Sequence, residues 1–241
     1  MTRATVVDTG IGNLGNLARA LAHLGAEVEV TAEPARVAAV RCLLLPGVGA
    51  FAPPRERLRG ALEEALREAL AAGAWLLGIC VGYQLLFEEG EERGTTDGLA
   101  LLPGRVTRLP EGVLLPHVGW NRVEAANGGE RAAERTAGVP RATGGAGSHE
   151  TPAAEDGAGP AADLLAGLPA SSWFYFVHSY APEGVPEPLV AARALHGRRF
   201  PAVAGRGRVL GTQFHPEKSG AAGLAVLANF LEAARGAAAG A

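Results

Sequence analysis

Leu77-Gly78-Ile79-Cys80-Val81-Gly82-Tyr83-Gln84 decides how this chain is read. The apolar run from Ala74 to Ile79 reads as a buried strand, and it delivers one cysteine with a glycine two residues before it and another two after. This is the thiol form of a nucleophile elbow, a tight strand-to-helix turn that holds a reactive side chain clear of the backbone. A turn that sharp leaves no room for side chains at the flanking positions, which accounts for the glycines. The helix that begins there points its amides and positive dipole end at the sulfur, favouring thiolate over thiol. Far downstream, Gln213-Phe214-His215-Pro216-Glu217 supplies a base. In an extended segment residues two apart face the same way, so Glu217 can hold the imidazole of His215 while that imidazole works on Cys80. The set reads as a Cys–His–Glu acyl-transfer site. Such chemistry needs donors for a developing oxyanion. The amide of Val81 is one, and the glycine-flanked turn Pro46-Gly47-Val48-Gly49 can present a second.

Around this motif the first half of the chain alternates strand-like and helical runs. Thr5–Asp8, Glu27–Thr31 and Cys42–Leu45 are apolar or alternating, while Leu14–Leu24 carries Leu14, Leu17, Leu21 and Leu24 on one helical face and Leu58–Ala72 is rich in Leu, Ala, Glu and Arg. Repeated β–α units with apolar strands imply a parallel sheet covered on both faces. Sites in such sheets lie at the carboxyl ends of the strands, so Asp8, Gly47 and Cys80 should meet along one edge. The second half changes to short runs separated by Gly and Pro: Val106–Leu109, Val113–Leu115, Val118–Val123, Trp173–Tyr180, Val190–Ala194 and Val209–Phe214, expected to be strands and partly antiparallel, before a last helix near 220–234. From 125 to 163 the chain is mostly Ala, Gly, Glu, Arg, Thr and Pro, without aromatics. That composition buries too little apolar surface to offset ordering entropy, and it predicts a disordered low-complexity insertion in a single 1–241 domain.

Composition narrows the function classes. The 241 residues are 48% hydrophobic and 20% charged, which suits a globular protein with a full core. A net charge of -3 gives no electrostatic case for nucleic acid or an anionic membrane surface. The two cysteines, Cys42 and Cys80, are too few for a disulfide framework or a cysteine-rich zinc site. The N-terminus reads as a first strand and not as a signal peptide, and no apolar run approaches membrane-spanning length, so a cytoplasmic setting is expected. Cys42, inside Cys42-Leu43-Leu44-Leu45, reads as a buried structural thiol. The same reading of Cys80 conflicts with its glycines and its place at the turn. A metal held by Cys80, His215 and Glu217 remains conceivable, but a cysteine at an elbow is better placed to attack than to chelate.

Gly78-Ile79-Cys80-Val81-Gly82 and His215-Pro216-Glu217 resemble the motifs of class I (triad) glutamine amidotransferases. Asp8-Thr9-Gly10-Ile11-Gly12-Asn13-Leu14, Leu45-Pro46-Gly47-Val48-Gly49-Ala50-Phe51, Leu115-Pro116-His117-Val118-Gly119-Trp120-Asn121, Tyr175-Phe176-Val177-His178-Ser179-Tyr180 and Gly211–Ser219 narrow the resemblance to the glutaminase subunits of imidazole glycerol phosphate synthases, of histidine biosynthesis. The match spans the chain except the 125–163 segment. The resemblance implies a flavodoxin-like three-layer αβα fold with a central mostly parallel sheet and some antiparallel strands. It also implies L-glutamine as substrate, no metal or organic cofactor, and a heterodimer with a (β/α)8-barrel cyclase that receives the ammonia. Carried over by motif, Gln84 and Glu92 and the backbone at Ser179 and Tyr180 would contact glutamine. Asn13, Asn16, Trp120, Tyr175 and Lys218 would lie at or near the cyclase-facing surface. Thr9 and Tyr83 depart from the common tyrosine and methionine without removing a catalytic group. Two other readings are a glutaminase feeding another pathway, such as pyridoxal phosphate synthesis, and a non-catalytic flavodoxin-like module with one sensing thiol. The Pro116–Asn121 segment with Lys218 argues against the first, and the intact triad against the second.

Overall fold

The computed structural model describes residues 2–126 and 159–236. Its first part runs β1 (Arg3–Val7), α1 (Leu14–His23), β2 (Glu27–Thr31), α2 (Pro34–Ala38), β3 (Cys42–Gly47), α3 (Ala52–Leu58), α4 (Ala61–Ala71), β4 (Trp75–Cys80) and the single turn α5 (Val81–Gln84). There follow the short strands β5 (Glu89–Gly90) and β6 (Thr96–Asp97), then β7 (Arg105–Arg108), β8 (His117–Ala125), α6 (Gly159–Asp163), β9 (Ser171–His178), β10 (Tyr180–Glu183), β11 (Val190–His196), β12 (Arg198–Arg206), β13 (Val209–Thr212) and α7 (Gly220–Gly236).

The strands form a nine-stranded sheet in the order β2-β1-β3-β4-β13-β12-β11-β8-β9, and β10, β7, β5 and β6 form a smaller second sheet. From β2 to β13 the large sheet is parallel, and from β13 to β9 it is antiparallel. β3 and β4 are buried almost along their length, as strands covered on both faces must be. α1 packs with α7, whereas α2 and α3 pack with α4, which makes the three layers. α1 buries Leu17 and Leu21 and α4 buries Leu62, Ala65, Leu66 and Ala69, the spacing of one helical face.

Several local expectations change. The helix expected over Leu58–Ala72 is interrupted, because Gly60 takes φ +78° and separates α3 from α4. Val113–Leu115 is not a strand: it follows Gly112 at φ +92°, and Leu114 is 85% exposed. β12 escapes sequence reading because Pro201, which has no N–H to donate, sits within it. Pro201 is accommodated opposite Arg193, where the β11–β12 register shifts. The 125–163 segment falls mostly outside the described residues, but its margins are folded. Ala125 ends β8, and Gly159–Asp163 forms α6 with Ala161 fully buried. Among the described residues no helix is long and apolar enough to cross a membrane.

Candidate active site

Parallel pairing of β3 with β4 sets Gly47 beside Cys80 at the carboxyl ends of two neighbouring strands. Cys80 has φ +55° and ψ -111°, a conformation that L-residues rarely adopt and that persists only where the surroundings enforce it. Close packing of the turn does so. A Cβ on Gly78 would lie 2.7 Å from the Gly82 carbonyl oxygen, and one on Gly82 would lie 1.7 Å from that of Leu45. Gly47 is equally tight, 2.8 Å from the Gly82 nitrogen. The glycines are therefore required by backbone approach, as their spacing suggested. The helix after the cysteine, α5, lasts one turn, so its dipole is small.

Cys80 is 1% exposed. Its Sγ lies 3.7 Å from the Val177 carbonyl oxygen, which can accept from the thiol, and Gln213 Nε2 approaches it at 3.9 Å. His215 is delivered just past β13, the strand next to β4, and its Nδ1 donates to Glu217 Oε1 at 2.9 Å. The link is not extended as the sequence suggested. Pro216–Lys218 is a 3₁₀ turn, and the tight curl brings Glu217 back under the ring. Both side chains are almost completely buried. Burial alone would lower the basicity of His215, but Cys80 and Glu217 on its two sides outweigh it and raise the imidazole to about 10. Its other nitrogen, Nε2, has no aligned hydrogen-bond partner, and neither has Glu217 Oε2. Catalytic hydrogen bonds commonly align only when substrate arrives.

The segment bearing the base is fastened to strand β9. His215 N–H donates to the Tyr175 carbonyl at 2.9 Å, and Tyr175 N–H donates to Ser219 Oγ at 3.0 Å. Ser219 in turn donates to the His215 carbonyl at 2.6 Å.

Beside the elbow lies a cleft of about 170 Å³. Gln84, Glu92, Ser179 and Tyr180 line it, as do Gly49 and Val81 from the expected oxyanion segments. Val48, between Gly47 and Gly49, is not among its lining residues, and Gly49 takes φ +81°. Glu92 is held by the Phe51 N–H, which donates to its Oε2 at 2.9 Å. Gln84 Nε2 is occupied internally, donating to the Tyr180 carbonyl and to Gln213 Oε1, which leaves its Oε1 for a ligand. Pro116, Val177 and His178 also line the cleft and were not singled out from sequence. The available signal was membership, since each lies inside a motif quoted above.

Of the expected partner-facing residues, Trp120, 54% exposed, meets Tyr175 edge to face, and the Lys218 ammonium stands 5.7 Å over the Tyr175 ring. Asn16, half-buried on α1, accepts from Arg19. Asn13 does something further: its Nδ2 donates to Glu217 Oε1 at 3.4 Å, making it a second support for the triad carboxylate. Tyr83 turns away from the cleft into the core, where it occupies the space that Gly211 leaves open. Thr9 is buried, with its hydroxyl towards the Ile11 carbonyl.

Among the described residues no group of three or more His, Cys, Asp or Glu is arranged to hold a metal. A buried thiol, a base oriented by a carboxylate, and a small cleft lined by amide and carboxylate groups are the parts of an amide-cleaving site.

Residues 5–234 match the model of the family described as glutamine amidotransferase class-I. The chain is 44% identical, over 95% of its length and 93% of the relative's, to the imidazole glycerol phosphate synthase subunit HisH of Symbiobacterium thermophilum. It is 41% identical to the protein of the same name from Moorella thermoacetica, over 98% and 97% of the two chains. A solved glutamine amidotransferase superposes with a TM-score of 0.67 at 20% identity, covering 96% of this chain and 99% of the other, which supports the fold. The chain thus belongs to the class-I glutamine amidotransferases, within the family of HisH subunits of imidazole glycerol phosphate synthase.

Proposed function

We propose that the chain is the glutaminase subunit of an imidazole glycerol phosphate synthase. It hydrolyses glutamine to glutamate and ammonia and passes the ammonia to a (β/α)8-barrel cyclase bound as a heterodimer in the cytoplasm. The observation that carries this reading is the meeting of Cys80, His215 and Glu217 beside a cleft lined by Gln84, Glu92, Ser179 and Tyr180. The Cys80 thiolate attacks the carboxamide carbon of glutamine, and the tetrahedral oxyanion is met by backbone amides of Val81 and the Gly47–Gly49 turn. His215, protonated between sulfur and carboxylate, gives its proton to the departing ammonia, then takes one from the water that cleaves the glutamyl thioester. Glu217 keeps the ring oriented through both steps. The exposed Trp120 and Lys218, both against the half-buried Tyr175, form the natural seat for the cyclase, with Asn13 and Asn16 at its margin, and residues 1–241 act as one domain.

The test is co-purification with the cyclase followed by assays with glutamine and with ammonium salts, with and without the ribotide substrate. Cys80→Ala should abolish glutamine-dependent synthesis and leave ammonium-dependent synthesis intact. Glutamine-dependent activity near wild type in that variant would overturn the assignment. The oxyanion role has its own check. A Cβ on Gly49 meets no atom within 4 Å, and Gly49 sits at φ +81°, so Gly49→Val acts first through backbone strain. Glutamine turnover should then fall more than association with the cyclase weakens.

A further inference from the structure

A one-way chain of polar groups runs from strand β8 into the cleft. The Tyr180 carbonyl accepts two hydrogen bonds, from Gln84 Nε2 at 2.8 Å and from His178 Nδ1 at 2.8 Å. A carbonyl can only accept, so the proton of the neutral His178 ring is on Nδ1 and its Nε2 is an acceptor. His117 Nδ1 must therefore be the donor in the 3.0 Å contact with His178 Nε2. That leaves His117 Nε2 to accept from Asn121 Nδ2 at 3.2 Å, and Asn121 Nδ2 also donates to the Leu195 carbonyl at 2.9 Å. Every tautomer in the chain is fixed by the carbonyl at its end. Burial of both rings keeps them neutral, as the chain requires: it pushes His117 down to about 4 and His178 down to about 3, the Tyr180 carbonyl offsetting only part of the latter.

We propose that His117, which does not line the cleft, is a positioning residue for glutamine binding, acting through His178 on the Tyr180 carbonyl. The inference rests on the glutaminase reading above. His178 Nε2 is buried, and without the His117 N–H it loses its donor. A flip of the ring, a change of tautomer or an admitted water would each satisfy that nitrogen, and each weakens the bond that Nδ1 makes to Tyr180. The Ser179–Tyr180 backbone, which is one wall of the cleft, is then free to shift. The competing explanation is packing, because the His117 ring stacks on Phe176 at 5.0 Å and on His196 at 4.1 Å between centroids.

Substitutions in the full complex with the cyclase separate the two. His117→Phe keeps a stacking ring and removes the donor. Its KM for glutamine should rise on the order of ten-fold, with kcat little changed and ammonium-dependent synthesis unaffected. His117→Asn places an amide N–H near the Nδ1 position and should restore KM close to wild type. His117→Gln, which puts its amide at the Nε2 end, should not. The Asn and Gln variants are both polar and similar in volume, so their comparison stands even if the phenylalanine variant fails to fold. Equal glutamine KM values for the Asn and Gln variants would overturn the proposal, as would a folded His117→Phe variant with wild-type KM. Wild-type complex that hydrolyses no glutamine would overturn the glutaminase reading itself, and this inference with it.

Discussion

Among the described residues two sites hold buried histidines, and burial alone predicts the titration of only one of them. His215 sits between a thiol and a carboxylate and is raised to about 10. His117 and His178, on the antiparallel side of the sheet, are held by each other, by Asn121 and by a backbone carbonyl, with no carboxylate among the side-chain partners of either ring. No counter-charge compensates their burial, and they are lowered to about 4 and about 3. The desolvation that acts on all three rings is decided by its neighbours: a counter-charge makes an imidazole a standing proton donor, and a neutral partner makes it a fixed-polarity hydrogen-bond relay.

The sharpest way to break that contrast is to make the catalytic site resemble the relay. Glu217→Gln keeps the shape and removes the charge, so glutamine turnover should drop by about 10³-fold. Ammonium-dependent synthesis should hold, and the His215 ring should titrate at lower pH by NMR. An unchanged His215 titration would show that the carboxylate is not what raises it.

Acid probes the other member. His117 and His178 bind protons less readily folded than unfolded, so the unfolded chain is protonated first as pH falls. Their contribution to stability is whole above about pH 6.5 and declines below it, with His117 alone removing about 3 kcal/mol by pH 4. The His215 contribution has the opposite sign, whole below 6.5 and lost as pH climbs towards 10. Urea unfolding at pH 8, 6 and 4 should show the acid slope in wild type and a shallower one in His117→Asn. Identical slopes would remove His117 from the account.

The smallest effect is expected where Asn13 supports Glu217 across 3.4 Å. Asn13→Ala should lower glutamine turnover by about three-fold. A loss as large as that of Glu217→Gln would mean that Asn13, not the 3₁₀ turn, sets the carboxylate.

The nucleophile was legible because its constraint is local. Gly78, Cys80 and Gly82 are within five residues, and the close backbone approach that demands the glycines leaves a mark in the spelling. β1, β3 and β4 were readable as local apolar runs, and β2 as an alternation of Glu and Val. The His215–Glu217 pair was found, but its conformation was misread, because a spacing of two fits both an extended segment and a tight 3₁₀ turn. The Asn121–His117–His178 relay left no such mark: His117 and His178 are 61 residues apart and meet only because β8 and β9 pair in that register. β12 was hidden by Pro201, and α6 by a composition that gave no sign of Ala161 in the core.

β9 is the last strand of the large sheet, and such an edge normally offers its free N–H and C=O groups to any extended chain that comes by. Here the middle of that edge is already occupied. The Tyr175 amide and carbonyl are bound by Ser219 and His215, and the Val177 carbonyl faces the Cys80 thiol. The reactive loop therefore doubles as a cover against edge-to-edge aggregation, and a substitution that loosens it endangers solubility as well as turnover.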